Sequence, residues 1–199
     1  MKNISIIEMM TQRLRLRPFS IADFAVFVEE LVSDPAVMAF YHSYTSSLSS
    51  EARLAKARED FLEHFQSSRE RSGLETWALF PRDAASHPEE RMIGWAGILE
   101  SPIGSMELGP ELQYMLASRF HGKGLITEAV RPVIADAFER CGVRRLRAYV
   151  DTTNTGSRRV AEKLGFEFQG QVSAYGSDDM VWYALEADNF RSEAQLQSQ

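Results

Sequence analysis

Hydrophobic positions divide the chain into short segments with strand-like or helix-like spacing. Alternating apolar and polar residues, or short apolar runs, predict strands at 12–17, 75–80, 91–100, 108–117, 144–151, 166–175 and 180–186. Apolar residues three and four apart predict helices at about 20–32, 51–71, 124–140 and 157–164. We interpret the apolar stripe of the 51–71 helix as core packing; it contains Leu54, Phe61, Leu62 and Phe65.

Local signals mark the helix boundaries. Ser20 and Asp23 have the spacing of a capping box at the start of the first helix. Asp34-Pro35 is expected to end that helix, because proline cannot continue the hydrogen-bond ladder. Gly165 is placed to end the last helix.

The order of these elements predicts an α/β protein with a mixed sheet. The strand candidates between 75 and 117 follow one another without a helix, which indicates an antiparallel meander. The strand, helix, strand order between 108 and 151 instead indicates a parallel crossover. We expect one domain at 11–190, with an extension at 1–10 and a polar tail at 191–199.

The composition is that of a single compact domain. The chain has 199 residues, of which 44% are hydrophobic, enough for a sizeable core. It has no apolar run near the roughly 20 residues of a membrane-spanning helix. The first ten residues lack the basic and apolar blocks of a secretory signal. We therefore predict a cytoplasmic protein without a membrane partner.

Charge, cysteine and histidine usage exclude several function classes. The net charge of −6 argues against a broad nucleic-acid-binding surface, so we predict no direct nucleic-acid partner. Cys141 is the only cysteine and is interpreted as a small buried apolar residue at a helix end; a nucleophile is the alternative. The four histidines lack metal-ligand spacing, so no metal is predicted. The clustered arginines are interpreted mainly as solvated surface residues; they are Arg144, Arg145, Arg147, Arg158 and Arg159.

The segment at 119–124 reads R-x-x-G-x-G and joins a strand to a helix. A loop of this kind offers backbone N–H groups and the positive end of a helix dipole to an anion. Gly122 and Gly124 carry no Cβ that would block the anion, and Arg119 and Lys123 add positive charge. A pyrophosphate is the natural ligand; an ordinary glycine-containing turn is the alternative.

A second strand-to-helix junction follows at 151–166. Asn154 can cap the short helix, and Ser157 lies in its first turn. Taken alone, these two residues are either helix-capping residues or ligand contacts.

Together, R-x-x-G-x-G-x-x-x-E-A at 119–129 and N-x-x-S-x-x-x-x-E-K-x-G-F at 154–166 resemble the GNAT superfamily of acyl-CoA-dependent N-acetyltransferases. Within it the chain looks most like the RimJ/RimL type, the bacterial acetyltransferases of ribosomal-protein N-termini. The segments that carry this closer likeness are 11–18, 34–35, 94–97 and 111–116. The resemblance covers roughly residues 11–190.

This resemblance implies the GNAT fold, a mostly antiparallel central sheet with flanking helices and a splayed parallel strand pair. Acetyl-CoA is the implied cosubstrate, bound between the two splayed strands. The main chain of Met115, Leu116 and Ala117 would hold the pantetheine arm. The implied pyrophosphate-side residues are Arg119, Phe120, His121, Gly122, Lys123, Gly124 and Leu125. Asn154 and Ser157 would contact the coenzyme from the second junction.

The implied reaction is direct attack of an amine on the thioester, which needs a proton acceptor and a donor for the departing thiolate. Many family members use a tyrosine on the short helix, at the position of Ala161 here. Ser157 matches a serine of the ribosomal-protein branch and is expected to serve the sulfur; the alternative is a helix N-terminal residue only. Glu111 is the candidate base, with a paired strand carboxylate as the alternative.

The expected acceptor is a primary amine, either on a ribosomal or other protein N-terminus or on a small molecule. The segment 40–44 is expected to contact it. A monomer and a homodimer are both compatible with the sequence. The alternative function is a catalytically idle acyl-CoA-binding sensor or interaction module, because Ala161 replaces the tyrosine and 173–176 offers no second carboxylate.

Overall fold

The computed structural model describes residues 8–41, 49, 51–52, 54–59, 73–83, 91–101, 103–104 and 108–190. Within them, eight strands form one sheet in the order β1-β2-β3-β4-β5-β6-β8-β7. The strands are β1 (Met9–Met10), β2 (Leu14–Pro18), β3 (Thr76–Pro81), β4 (Gly94–Leu99), β5 (Glu111–Leu116), β6 (Arg145–Asp151), β7 (Glu167–Ala174) and β8 (Ser177–Glu186). β1 lies in the predicted extension at 1–10 and pairs with β2, while the predicted tail at 191–199 lies outside the described residues.

The described helical elements lie between the strands. They are a 3₁₀ turn (Ile21–Asp23), α1 (Phe24–Phe27), a π-helical turn (Val28–Val32), α2 (Pro35–Met38), a 3₁₀ turn (Ser118–Phe120), α3 (Leu125–Glu139) and α4 (Thr155–Lys163). Residues 51–52, 54–59 and 187–190 are also helical. None of the helices in the described ranges is long and apolar enough to cross a membrane.

The sheet confirms the predicted mixed α/β class. β1 to β5 form an antiparallel meander, and β6 pairs antiparallel with β8, which pairs antiparallel with β7. β5 and β6 are the parallel pair that the crossover predicts. Buried apolar residues of β3 and β4 form the centre of the core, and α3 packs its apolar face against β4.

The parallel pair is joined only at its beginning. Within the described chain, Glu111 opposite Arg147 is the one register pair between β5 and β6. The Arg147 N–H also donates to the Pro110 carbonyl at 3.0 Å, just before β5. The strands therefore meet at their amino ends and separate toward their carboxyl ends, as the resemblance implies.

The first helical segment follows its predicted boundaries with one addition. The Asp23 carboxylate accepts from the Ser20 N–H at 2.8 Å, and Ser20 Oγ accepts from the Ala22 N–H at 3.1 Å, which confirms the capping box. Asp34 ends the segment but also caps α2 by accepting from the Ala36 N–H at 2.9 Å. Pro35 begins α2, because its fixed φ suits the first helical position.

The predicted helix at 51–71 is described only in part. Its residues 51–52 and 54–59 are helical, which agrees with the prediction. Ala57 is buried, but Leu54 is 46% exposed, so the assignment of Leu54 to the core is wrong. Phe61, Leu62 and Phe65 lie outside the described residues.

The last two strands form a tighter hairpin than the sequence predicts. The prediction left four residues between the strands, whereas Ala174 pairs with Ser177 across a two-residue turn. The turn residues Tyr175 and Gly176 have φ values of 52° and 79°. Positive φ at both positions is typical of a type I′ turn, whose twist matches that of the flanking strands.

Candidate active site

A cleft of about 580 Å³ opens where β5 and β6 separate. It is bounded by both strands, by the N-terminal ends of α3 and α4, and by Phe40 and Tyr41 after α2. The predicted site residues that line it are Glu111, Met115, Leu116, Phe120, His121, Gly122, Gly124, Leu125, Asn154 and Ser157. Ala117, Arg119 and Lys123 are not part of its wall. Residues 42–44 of the predicted acceptor segment lie outside the described chain.

The open edge of β5 carries main-chain groups toward the cleft. The Ala117 N–H donates to the Ile93 carbonyl at 2.9 Å, on the β4 side. Hydrogen-bonded pairs recur every second residue in an antiparallel ladder, so the main chain of Met115 also faces β4. The main-chain groups of Tyr114 and Leu116 therefore point to the other edge. Of the three residues expected to hold a pantetheine arm, only Leu116 presents its main chain to the cleft.

Two protein groups already contact carbonyl oxygens on that edge. The Tyr41 hydroxyl donates to the Tyr114 carbonyl at 3.0 Å. The His121 Nε2 atom lies 2.7 Å from the Leu116 carbonyl. The segment after α2 and the glycine loop are thereby both anchored to β5.

The glycine loop adopts a conformation that requires glycine. Gly122 and Gly124 have φ values of 73° and 74°, in the left-handed region. A Cβ on Gly122 would meet no described atom within 4 Å. The space in front of the loop is therefore open to a ligand.

The N–H groups of this loop divide into two sets. Those of Phe120 and His121 donate to the carbonyls of Ala117 and Ser118, at 2.9 and 3.0 Å, within the 3₁₀ turn. The Glu128 N–H donates to the Gly124 carbonyl at 3.1 Å and begins the ladder of α3. The N–H groups of residues 125–127 therefore project from the helix N-terminus. The anion-binding donors are expected at 122–127 rather than at 120–125.

Residues from the start of the domain support the loop from outside the cleft. The Glu128 carboxylate accepts from Thr11 Oγ1 at 2.5 Å, from the Arg13 N–H at 2.7 Å and from Arg13 Nε at 2.6 Å. Arg13 Nη1 also donates to the Lys123 carbonyl at 2.9 Å. Burial raises the pKa of Glu128, but these donors outweigh it and hold the pKa below its usual range.

Arg119 makes an ion pair within the protein. Its guanidinium pairs with the Glu30 carboxylate, which also lies 2.7 Å from Arg91 Nε. The next contact along the same surface is a 3.2 Å hydrogen bond from the Ser118 N–H to Asp34 Oδ2. Arg119 thus ties the glycine loop to the first helical segment, and its part in coenzyme binding stays a prediction.

The start of α4 brings Asn154 and Ser157 to the cleft. Asn154 Oδ1 accepts from the Ser157 N–H at 3.0 Å, which makes Asn154 a helix cap. The Tyr114 hydroxyl lies 3.4 Å from the Ser157 carbonyl, to which it donates. Burial raises the pKa of Tyr114 to about 12, although a side-chain hydrogen bond with Ser157 acts in the opposite direction. Two hydroxyl groups, one from β5 and one from α4, are therefore neighbours.

Glu111 lies at the closed end of the cleft and is only 3% exposed. The Tyr175 hydroxyl donates to Glu111 Oε2 at 2.5 Å. Burial raises the pKa of Glu111 to about 7. Hydrogen bonds and one positive charge act against burial; they come from Tyr175, Ser101, Gln113 and Arg147. A carboxyl group with this pKa can accept a proton near neutral pH.

Arg147 lies beside Glu111 and is 1% exposed, so its assignment to the solvated surface is wrong. Its Nη1 donates to the Ile103 carbonyl at 2.5 Å, and its Nη2 donates to the Ser101 carbonyl at 3.4 Å. The loop after β4 therefore covers Arg147. The alternating pattern around Arg147 in the sequence gave no sign of this burial.

Tyr175 and Gln113 complete the cluster around Glu111, and sequence reasoning missed both. Gln113 Nε2 donates to the Tyr175 hydroxyl at 3.2 Å. The available signal was a Tyr-Gly pair between two alternating segments, where a tight hairpin usually has Asn-Gly.

Other reactive groups in the described chain lie apart from this cluster. No group of three or more His, Cys, Asp or Glu side chains in those ranges could hold a metal ion. Cys141 is half-buried against the core, so its assignment as a buried residue holds only in part. Its Sγ lies 3.4 Å from the Gly73 carbonyl, and the residue does not line the cleft.

Comparison with known proteins places the fold and cleft in one family. The family model for the acetyltransferase (GNAT) domain matches residues 13–167. YjcK of Bacillus subtilis, named a probable N-acetyltransferase, is 37% identical over 94 residues, which are 47% of this chain and 51% of YjcK. The chain therefore matches about half the length of that relative.

Solved structures share the fold across nearly the whole chain. The ribosomal-protein-S5-alanine acetyltransferase from Vibrio fischeri superposes with a TM-score of 0.71 at 16% identity, covering 92% of this chain and 98% of that one. An acetyltransferase from Agrobacterium tumefaciens superposes with a TM-score of 0.69 at 21% identity, covering 92% and 95%. The family match spans β2 to β6, the glycine loop and α4, and the chain belongs to the GNAT family of N-acetyltransferases.

Proposed function

We propose that this protein transfers an acetyl group directly from acetyl-CoA to a primary amine, with Glu111 as base and Ser157 as the group that serves the sulfur. One observation carries this proposal: both side chains line the cleft between β5 and β6. Glu111 lies where the strands meet, and Ser157 follows the end where they separate. A substrate lying along the gap would have the two groups on either side of its reacting carbonyl.

The cleft has the groups that acetyl-CoA requires. The open edge of β5 offers the N–H groups of Tyr114 and Leu116 to the pantetheine amides, in the manner of an added strand. The N–H groups of residues 122–127 and the positive end of α3 suit the pyrophosphate. The left-handed φ of Gly122 and the open space in front of it leave room for the phosphates.

The proposed reaction uses one group at each end of the cleft: Glu111 moves protons, and Ser157 donates a hydrogen bond. The ionised Glu111 carboxylate takes a proton from the acceptor ammonium, leaving a neutral amine. Glu111 passes this first proton to solvent before the amine attacks. The amine nitrogen bonds to the thioester carbonyl carbon, and the C–S bond breaks with its electron pair going to sulfur. Glu111 takes the second proton, which the nitrogen loses as the amide forms. Ser157 stabilises the thiolate by a hydrogen bond. The Tyr114 hydroxyl lies beside Ser157 and donates a second hydrogen bond to the thiolate. Glu111 then releases its proton to solvent.

The pKa of Glu111 favours an α-amine acceptor. An N-terminal α-amine has a pKa of roughly 8, whereas a lysine ε-amine is near about 10.4. A base with a pKa of about 7 is well matched to the first and poorly matched to the second. The name of the Vibrio fischeri neighbour, a ribosomal-protein-S5-alanine acetyltransferase, supports including protein N-termini among the candidates.

The test is a thiol-release assay with acetyl-CoA and a panel of amines. The panel contains short peptides beginning with alanine or serine, an N-acetylated copy of each, and small primary amines. We expect turnover that needs the free amine and falls in Glu111→Gln and Ser157→Ala. A folded protein that binds acetyl-CoA but releases no thiol with any amine would contradict the proposal and favour the idle sensor.

A further inference from the structure

Tyr175 has a backbone conformation that tyrosine rarely adopts. Its φ is 52°, and among the described residues no other non-glycine residue has a positive φ. It occupies the first central position of the type I′ turn between β7 and β8, where asparagine, aspartate or glycine is usual. A left-handed conformation is costly for a residue with a bulky side chain. An outlier of this kind points to a function for the side chain.

The strained turn brings the phenol of Tyr175 to the closed end of the cleft. Its hydroxyl donates to Glu111 Oε2 at 2.5 Å and accepts from Gln113 Nε2 at 3.2 Å. Glu111 and Gln113 are two residues apart on β5 and therefore share one face of the sheet. The hydroxyl is thus held between two neighbouring side chains of the strand that borders the cleft.

The ring of Tyr175 is also fixed. It packs edge-on against the Tyr149 ring, with centroids 6.2 Å apart and an interplanar angle of 78°. The Tyr149 hydroxyl in turn accepts from Arg147 Nη1 at 3.3 Å. Because turn, ring and hydroxyl are all constrained, the phenol can hold the Glu111 carboxyl in one orientation.

We propose that Tyr175 is a positioning residue for Glu111: its hydroxyl binds one carboxylate oxygen and orients the carboxyl toward the acceptor amine. This inference rests on the proposed function, because it assigns Tyr175 a part in the same proton transfer. A phenol that donates to the carboxylate stabilises the ionised form, which is the form that takes the proton. Tyr175 lies in the segment 173–176, which has no second carboxylate. Its hydroxyl is the group that this segment contributes to the site.

Glu111 has side-chain hydrogen bonds with Ser101 and Gln113 as well as with Tyr175. Several charged and titratable groups also surround it. Those facing it are Arg147 and Tyr149 from β6, Tyr41 from the segment after α2, and Tyr175 itself. Burial raises the pKa of all three tyrosines, so they stay neutral near pH 7. Arg147 contributes the positive charge. Removing the Tyr175 hydroxyl leaves that charge in place and removes one donor.

The test combines a titration of Glu111 with the pH profile of acetyl transfer. Proteins labelled with ¹³C at the glutamate carboxyl carbon are titrated by NMR, and Glu111→Gln assigns the signal. Tyr175→Phe is expected to raise the Glu111 pKa by roughly half a unit or more, the size expected for loss of one hydrogen bond. The inflection in kcat/KM should move upward equally, measured with a peptide that has a free N-terminal alanine or serine.

Tyr183→Phe is the matched control. It also removes one buried tyrosine hydroxyl, which accepts from Arg158 Nε at 3.1 Å outside the cleft. Neither the Glu111 signal nor the kcat/KM inflection should move in this variant.

A second variant separates positioning from a purely structural role. Tyr175→Asn suits the left-handed turn better but lacks the phenol. We expect it to fold and to lose at least as much kcat/KM as Tyr175→Phe. Wild-type kcat/KM in Tyr175→Asn would overturn the inference.

The outcomes for the two proposals are distinguishable. An unchanged Glu111 titration in folded Tyr175→Phe overturns the inference, as does a shifted titration with an unchanged kcat/KM profile. If the titration shifts but the wild type acetylates no amine, the Tyr175–Glu111 contact stands and it is the proposed function that fails.

Discussion

The proposed coenzyme side and the proposed acceptor side of the cleft are built in different ways. The coenzyme side uses main-chain groups, set by Gly122, Gly124 and the N-termini of α3 and α4. The acceptor side uses the side chains of Glu111, Arg147 and Tyr175, from three separate segments. The first can be recognised from short sequence patterns, whereas the second exists only after the sheet and its hairpin have assembled.

Glu111→Gln should have the largest effect, because it removes the proposed base. We expect kcat/KM to fall by about 10²-fold or more, with loss of the inflection near neutral pH. Acetyl-CoA affinity should stay within about twofold, since the main-chain contacts of the other side are unaffected. A comparable loss of acetyl-CoA affinity would show that the two sides are not separable.

The same substitution should change how stability depends on pH. The folded-state pKa of Glu111 is raised from 4.5 to about 7, so its favourable contribution is present below pH 4.5 and is lost as pH rises toward 7. As pH rises between these limits, wild type loses this contribution and Glu111→Gln does not. The unfolding free energy of the variant should therefore rise by roughly 3 kcal/mol relative to that of wild type. Urea unfolding at pH 5 and pH 8 measures this difference. A constant difference between the two proteins would contradict the raised pKa.

Ser157→Ala tests the boundary between the two sides, because Ser157 lies in the motif assigned to the coenzyme but is proposed to stabilise the departing thiolate. We expect kcat to fall by about 10- to 100-fold, less than for an isolated donor because the Tyr114 hydroxyl remains beside residue 157. Calorimetry should give nearly unchanged acetyl-CoA affinity. A large loss of affinity with unchanged kcat would make Ser157 a binding residue.

Arg13→Ala should have the smallest effect and one confined to the coenzyme side. Arg13 supports the loop through Lys123 and Glu128 but does not line the cleft. We expect acetyl-CoA to bind about 3- to 10-fold more weakly with kcat nearly unchanged, as for loss of one or two exposed charged contacts. Arg15→Ala, which removes a surface pair with Glu8, is the matched control and should bind normally. Equal affinities for the two variants would argue against support from Arg13.

Sequence patterns predicted the elements and the two strand-to-helix junctions because these depend on neighbours in the chain. Gly122, Gly124 and Asn154 have roles set within a few residues, and all three lie where the motifs place them. Strand boundaries moved by a few residues, and the division of the first helix into 3₁₀, α and π turns was not visible in its apolar spacing.

The remaining features depend on contacts distant in sequence. Tyr175 lies 64 residues from Glu111 along the chain, and Arg119 lies 89 residues from Glu30. Arg147 alternates with apolar residues like a surface arginine, yet the loop after β4 buries it. Such pairings follow from strand order and loop path, which no local pattern specifies.

The central claim is that acetyl-CoA binds in the gap between β5 and β6, and calorimetric titration tests it most directly. Gly156→Trp should fill the gap, because Gly156 lines the cleft and a Cβ there would lie an ordinary 3.5 Å from Asn154 Oδ1. Glu162→Trp, on the exposed side of the same helix, is the control. We expect one-site binding in wild type and control, and at least about 100-fold weaker binding in Gly156→Trp. Absence of binding to folded wild type, or equal binding to all three proteins, would contradict the claim.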